Sequence, residues 1–421
     1  MPDLRELPRS LAPLDDESLP GYLLRLSSRL HVPVADAAVR TGLVDRTGAT
    51  STVFLPIRLV HRIDDDALDK FARTTRLTAV EAGSLLASPL GDRYGPLNGD
   101  LMSRGNPVSL VRNNRWFFGR WTRYCPHCLA GDGSVIQQQL GGPWKRHWRL
   151  PTVFACLRHR TLLHNTCPQC GKAALTDATN FLPRAAAEPM HPTLCRAPTG
   201  NRYGLTPHSP SCKADLTTAA CREIDADTLS TVLALQTRLL DLHNPDGPTA
   251  ISSVGWQQTV AQYFLDLRAV TWLILLSWPE TQRYAPTAAL AEAVARTAEN
   301  ARIAAQGQRD RPGKRHPSVA YTDPPIDPLS AAAVFGIAEQ LLATDYNATF
   351  AIFNPLISQA RRTEPTMTHL QKPHHASPPL RLTLNHHRHD LWKKGRARLL
   401  RKHPELTPMP PSRPVTTSAG R

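Results

Sequence analysis

Apolar residues at helical spacing, separated by short breaks, mark the N-terminal part of the chain. The first apolar stripe repeats at intervals of four, three and four residues and consists of Leu19, Leu23, Leu26 and Leu30. This spacing predicts one face of a helix, with Ser18 as its N-cap. Further helices are predicted over 34–41, 66–75 and 78–86, each bounded by a Gly, Pro or capping residue. The pattern therefore predicts a small domain with two helix-turn-helix-like pairs.

The C-terminal half shows the same helical periodicity with longer segments. Helices are predicted over 229–240, 256–278, 287–305 and 330–343, with a basic, Pro-rich linker at 306–328. The most apolar stretch, 270–278, is about half the length of a membrane span and is predicted to be a buried core helix. No sustained alternation typical of strands is evident outside the cysteine-rich segment described next.

Cysteine and histidine residues in the middle of the chain follow metal-ligand spacing. Cys125 and Cys128 are separated by two residues, and so are Cys156 and His159. Two such pairs can surround one Zn²⁺ tetrahedrally, and four protein ligands leave no open position for an activated water. The first set therefore predicts a closed, structural zinc site.

A second set begins with another pair at the same spacing, Cys167 and Cys170. Its second half is less regular, because Cys195 and Cys212 are 17 positions apart. We predict a second structural zinc held by Cys167, Cys170, Cys195 and Cys212. The sequence leaves three substitutes for the last two ligands open, namely His191, His208 and Cys221.

The net charge of the chain indicates a polyanionic binding partner. The chain of 421 residues carries a net charge of +15, and residues 361–421 hold 13 Lys and Arg against three acidic residues. Basic residues also alternate with aromatic ones around the first cysteine pair, a composition suited to phosphate contact and stacking. The predicted nucleic-acid-binding residues are Arg115, Arg120, Arg123, Lys145, Arg146 and Arg149. The aromatic residues among them are expected to form mostly core, and the basic C-terminal tail is expected to add sequence-independent DNA affinity.

These patterns favour a binding protein over an enzyme. The acidic runs 15–17 and 64–66 are interpreted as charges near helix N-termini, and the chain contains no phosphate-binding glycine loop or serine-hydrolase elbow. No catalytic residues are predicted. The N-terminal residues lack the apolar stretch of a signal peptide, so we expect a cytoplasmic protein with reduced thiols and no contact with a membrane.

The combined prediction is a predominantly α-helical multidomain protein with a central zinc-ribbon or zinc-knuckle region. Four segments are predicted: an N-terminal helical domain at 1–110, a zinc-binding domain at 115–222, a C-terminal helical domain at 223–360, and a basic, Pro-rich tail at 361–421.

Two stretches of the chain resemble the TniQ family of transposon targeting proteins, relatives of TnsD. The first is Leu14-Asp15-Asp16-Glu17-Ser18-Leu19-Pro20-Gly21-Tyr22, and the second runs from Tyr124-Cys125-Pro126-His127-Cys128 through Trp148-Arg149-Leu150-Pro151 to Cys167-Pro168-Gln169-Cys170-Gly171. The residues that follow Cys212 depart from the family pattern, because the usual second Cys and the Gly are missing.

The resemblance implies a non-catalytic subunit that selects the insertion site of a transposon. It implies binding to target DNA or to a DNA-bound guide complex, and recruitment of an AAA+ ATPase and a transposase. A CRISPR effector complex and a second copy of the chain are left open as partners, and localisation at the bacterial nucleoid is expected. The alternative function is a stand-alone zinc-containing transcription regulator.

Overall fold

The computed structural model describes residues 5–8, 10–44, 55–102, 114–118, 121–175, 189–199, 210–310, 320–364, 376–386, 388–404 and 406. They belong to two compact units. The first comprises the described residues of 1–91, 106–237 and 326–329, and the second those of 92–105, 238–325 and 330–421. The four predicted segments divide the chain more finely than this and stay a prediction.

Helices dominate the described residues, which confirms the predicted fold class. In chain order, the α-helices are α1 (Leu19–Leu30), α2 (Val34–Arg40), α3 (Asp65–Thr75), α4 (Ala79–Ser84), α5 (Gly99–Met102), α6 (Arg115–Phe118), α7 (Pro126–Ala130), α8 (Val135–Leu140), α9 (Ala226–His243), α10 (Val260–Ser277), α11 (Ala288–Arg309), α12 (Pro328–Leu342), α13 (Thr349–Thr363), α14 (Pro378–Asn385) and α15 (His389–Lys402). The strands form two antiparallel hairpins, β1 (Ala155–Cys156) with β2 (Thr161–Leu162) and β3 (Ala250–Ser253) with β4 (Trp256–Thr259).

The N-terminal helices begin where their capping residues predicted. The Ser18 hydroxyl accepts the Gly21 N–H at 3.3 Å at the start of α1. At the start of α4, Thr78 and Glu81 form a capping box in which each side chain accepts the other residue's N–H. Each such cap satisfies backbone donors that the first helical turn leaves unpaired. The predicted N-terminal helical pairs are therefore confirmed.

The second unit is built around α10, whose residues are almost all buried. This helix is long and apolar enough to cross a membrane, but 89% of it is buried inside the protein. An all-round apolar helix of this kind is typical of a protein core. The prediction of a buried core helix is confirmed.

The predicted start of that helix at residue 256 was wrong. Residues 250–259 form the β3–β4 hairpin, in which Ser253 pairs with Trp256 across a tight turn. Val254 and Gly255 in the turn have φ angles of 48° and 81°, outside the right-handed helical region, so no α-helix can run through them. The helix starts only after Thr259, whose hydroxyl accepts the Gln262 N–H at 3.2 Å.

The predicted tail also contains folded structure. Helix α13 extends to Thr363, and α14 and α15 follow within the part of the tail that the structure describes. A buried carboxylate on α10 anchors α14: Asp266 accepts the Ser377 N–H at 2.6 Å and the Ser377 hydroxyl at 2.7 Å. The described basic residues of α13, α14 and α15 therefore belong to helices of the second unit.

Candidate metal centres and nucleic-acid surface

The first cysteine set converges at the N-terminus of a short helix and the tip of a hairpin. Cys125 is the N-cap residue of α7, and Cys128 lies one turn inside it. Cys156 ends β1, and His159 lies in the turn that leads to β2. The four ligand atoms lie within 4.8 Å of one another.

The spacing of these atoms matches a tetrahedral zinc site. Bonds of about 2.3 Å to sulfur and about 2.0 Å to nitrogen imply separations of about 3.8 Å between sulfurs and about 3.5 Å from sulfur to nitrogen. The Cys128 and Cys156 sulfurs are 3.6 Å apart. His159 Nδ1 is 3.4 Å from the Cys125 sulfur, 3.3 Å from that of Cys128 and 3.5 Å from that of Cys156. The arrangement can therefore hold a metal ion without rearrangement.

Hydrogen bonds among the three thiols of this cluster shift their pKa values in opposite directions. Hydrogen bonds with the Cys128 and Cys156 thiols raise the pKa of Cys125 above its usual range. Hydrogen bonds from Cys125 and Cys128 lower the pKa of Cys156. Three adjacent thiolates would repel one another if no cation lay between them. A bound Zn²⁺ would supply the charge that lets all three ionise.

The second set also forms a four-sulfur cluster. The ligand atoms of Cys167, Cys170, Cys195 and Cys212 lie within 4.8 Å of one another. The sulfurs of Cys167 and Cys212 are 3.9 Å apart, as are those of Cys170 and Cys195. These distances are close to the sulfur separation of a tetrahedral zinc site, about 3.8 Å.

Backbone pairing explains how distant cysteines meet in the second cluster. The Lys213 N–H donates to the Cys195 carbonyl at 3.0 Å, and the Cys212 N–H donates to the Ala197 carbonyl at 2.8 Å. Isolated bridges on either side, Leu194 with Asp215 and Pro198 with Ser211, continue this antiparallel contact. This backbone pairing brings Cys195 and Cys212 together, as the two-residue spacing does for each pair of the first set.

The alternative ligands have other positions. His191 Nδ1 lies 2.8 Å from the Thr193 hydroxyl, and its Nε2 lies 3.2 Å from the Gln139 carbonyl. Cys221 is exposed, and its sulfur lies 3.3 Å from His127 Nε2. His208 lies outside the described residues. Within the described chain, the geometry therefore favours Cys195 and Cys212.

The acidic run before α1 binds the segment between the two halves of the first cluster. The Arg146 N–H donates to the Asp16 carbonyl at 2.8 Å, and the Ser18 N–H donates to the Trp144 carbonyl at 2.8 Å. The Asp16 carboxylate lies 2.7 Å from His147 Nδ1 and 3.3 Å from Arg146 Nε. Burial alone would raise the pKa of Asp16, but the hydrogen bond with His147 and the charges nearby lower it below its usual value. We call this arrangement the N-terminal clasp, comprising Asp16, Ser18, Trp144, Arg146 and His147.

Two of the six predicted DNA-contacting cations are buried. Arg123 is 0% exposed and donates to the Pro151 and Val153 carbonyls, each at 2.7 Å. Arg149 is 2% exposed and donates to the Thr122 hydroxyl at 3.1 Å. Burial lowers the pKa of Arg149 to about 10. These guanidinium groups organise backbone carbonyls inside the unit, where a phosphate does not reach them.

The other predicted cations differ in exposure. Arg146 belongs to the N-terminal clasp and also donates to the Leu86 carbonyl at 3.0 Å. Lys145 is partly exposed and lies 3.6 Å from the Asp15 carboxylate. Arg115 is exposed, and Arg120 lies outside the described residues. The neighbouring aromatic side chains are buried, as expected for core: Trp116, Phe117, Phe118, Trp121 and Trp148.

Comparison with protein families identifies the domain that contains the clasp and the first cluster. The model of the TniQ family matches residues 8–163. The chain carries a TniQ domain. The match begins before the N-terminal clasp and ends just after His159, so the second cluster lies beyond it. Searches of curated proteins and of solved structures returned no match.

The TniQ domain confirms the resemblance and supports a general function. It supports a transposition-associated, DNA-binding targeting role in general. Sequence reasoning found the cysteine sets through their spacing. It missed the N-terminal clasp, because an acidic run beside a helix gives no signal that its partners are residues 144–147.

Proposed function

We propose that this protein is the targeting subunit of a transposon, which binds target DNA, or a guide complex already bound to DNA, and recruits an AAA+ ATPase and a transposase. The TniQ domain over residues 8–163 is the observation that carries this proposal. In this function the chain selects the insertion site, and its partners perform strand transfer. It would act in the bacterial cytoplasm, at the nucleoid.

We further propose that each cysteine cluster holds one Zn²⁺. The separations between ligand atoms in both clusters support this, since they fit tetrahedral zinc. Four protein ligands around each ion would make both sites structural. The first zinc would fix α7 and the β1–β2 hairpin, and thereby the residues 144–147 that the N-terminal clasp binds.

We also propose that the exposed members of the six predicted DNA-contacting cations bind nucleic acid within the TniQ domain. Arg115 and Lys145 are the members whose exposure supports it, and Arg120 stays a prediction. Arg123, Arg146 and Arg149 act within the fold, through the carbonyl and carboxylate partners described above.

A transposition assay tests the proposed function. Insertions would be mapped in cells that carry the ATPase, the transposase and the transposon ends, with and without this protein. Loss of insertion, or a changed distribution of sites, is expected in its absence. The same frequency and the same sites in both arms would refute the targeting function, and a stand-alone transcription regulator would then be the better hypothesis.

A further inference from the structure

The C-terminal helices α14 and α15 contact each other and are joined by a short connection, as are the two helices of a helix-turn-helix motif. Only residues 386–388 separate the two helices, a connection as short as that of a helix-turn-helix. Leu382 of α14 packs over Gly395 of α15, where an added Cβ would come within 2.4 Å of the Leu382 Cδ1 atom. The second helix of such a motif is the one that enters the DNA groove.

One face of α15 anchors it in the second unit. Trp392 is 4% exposed, and its ring lies 5.7 Å from that of Phe350, centroid to centroid. One turn later, the Arg396 guanidinium lies over two rings, 3.9 Å from the centroid of Tyr346 and 5.0 Å from that of Trp392. Such cation–π contacts fix a long side chain that would otherwise be mobile. The helix is therefore held in one rotation about its axis.

The opposite face of α15 is cationic and exposed. Lys394, Arg398 and Arg401 follow at intervals of four and three residues, which places them on one stripe. Lys393 and Lys402 flank the stripe and are exposed as well. Among the described residues, no carboxylate forms an ion pair with any of these five cations, and the one acidic residue of the helix, Asp390, pairs with Arg388 at 3.0 Å.

We propose that this cationic stripe of α15 binds duplex DNA in the major groove. An α-helix with its side chains is about 10–12 Å across, so the major groove of duplex DNA, about 12 Å wide, admits it. Double-stranded RNA is a poorer fit, because its major groove is deep and narrow. This inference rests on the proposed function in one respect, namely that the protein binds DNA. It assigns to this helix a contact that the buried arginines of the TniQ domain do not supply.

The test compares two triple variants of the full chain with equal loss of charge. The stripe variant is Lys394→Ala/Arg398→Ala/Arg401→Ala. The matched control is Arg283→Ala/Arg296→Ala/Arg302→Ala, which removes three exposed cations elsewhere in the second unit. Binding to a labelled DNA duplex, an RNA duplex and single-stranded DNA would be measured by fluorescence anisotropy across a salt series. Thermal unfolding would verify that both variants fold, as expected for exposed side chains.

The stripe variant should lose at least about tenfold in affinity for duplex DNA near 100 mM salt, and its plot of log affinity against log salt should flatten by about 2–3 units. The control should change neither value appreciably. An equal effect in both variants, no effect of the stripe variant, or a loss confined to RNA or single strands would overturn the proposal. The two proposals fail separately: loss of duplex affinity in the stripe variant would support this inference even if insertions with and without the whole protein were the same, a result that refutes the targeting function alone.

Discussion

Removal of one ligand from the first cluster is the sharpest test of the proposed zinc sites. Cys128 is 7% exposed, and its sulfur lies 3.6 Å from that of Cys156 and 3.3 Å from His159 Nδ1. Cys128→Ser replaces a thiolate ligand with a hydroxyl that binds zinc far more weakly. We expect the zinc content to fall from two ions per chain to one.

The energetic consequence should be large. Structural zinc contributes an apparent 10–16 kcal/mol or so to the folding of small zinc domains, whereas a whole domain is stable by only about 5–15 kcal/mol. Loss of the first zinc should therefore unfold the region from α7 through β2, although the second unit keeps its own core. Limited proteolysis with mass spectrometry should locate new cleavage sites between residues 125 and 163.

Metal analysis of natively purified protein, together with a matched cysteine variant, makes the result decisive. Cys221→Ser removes an exposed thiol that belongs to neither cluster, and it should retain two zinc ions and the wild-type melting temperature. Wild-type protein without zinc, or Cys128→Ser protein that still holds two ions, would refute the reasoning.

Three further predictions concern the packing around the clasp and the core of the second unit. Gly21→Ala should lower the free energy of unfolding by about 1–3 kcal/mol, because the added Cβ would lie 2.8 Å from Trp144 Cβ and 3.1 Å from Trp144 N. Gly83→Ala is the control, because an added Cβ there has no atom within 4 Å. Equal melting temperatures for the two variants would contradict this prediction. Arg25→Met should lower the free energy of unfolding, measured by chemical denaturation, by about 3–5 kcal/mol, because Arg25 and Glu17 form a buried ion pair at 2.7 Å. The control is Arg40→Met, which removes an exposed arginine. A loss no larger than that of the control would show that the ion pair is dispensable. Burial raises the pKa of Asp266 from 3.8 to about 6, so the folded state binds this proton more tightly and loses stability as pH rises through that window. Asp266→Asn should therefore flatten the dependence of melting temperature on pH between 4 and 6, and an unchanged slope would exclude Asp266 as its source.

The sequence predicted those parts of the fold that depend on neighbouring residues. The capping residues Ser18 and Thr78 act on N–H groups only three positions away, so their positions marked the helix starts correctly. The hairpin at 250–259 was missed because the strong apolar periodicity of α10 was extended backwards over Trp256. Helix α13 was missed because Pro355 lies inside it, and tertiary burial of Phe353 and Leu356 overrides that local penalty.

The same distinction applies to the candidate site. The spacing of Cys125, Cys128, Cys156 and His159 is a local signal, and the structure brings these four residues together. Cys195 and Cys212 meet only because an antiparallel contact joins their backbones, which spacing does not reveal. Charge was the least informative signal, since a basic residue in a sequence gives no indication of whether it faces solvent or a cluster of carbonyls.

The basic residues of this chain are expected to have two different roles. Those of the TniQ domain described above bind groups within the fold, whereas the exposed ones of α15 are available to bind DNA. Arg123 and Arg149 already donate to groups inside the unit, and Arg146 is held by the N-terminal clasp. A side chain committed in this way would have to break those hydrogen bonds to reach a phosphate, and each broken bond to a charged group costs about 1.5–3 kcal/mol. Within the part of the chain that the structure describes, Lys394, Arg398 and Arg401 of α15 form no hydrogen bond that contact with DNA would break, and the stripe gains from counterion release. Affinity for DNA is therefore expected to depend more on the C-terminal stripe than on the buried arginines Arg123 and Arg149, which bind backbone carbonyls inside the first unit.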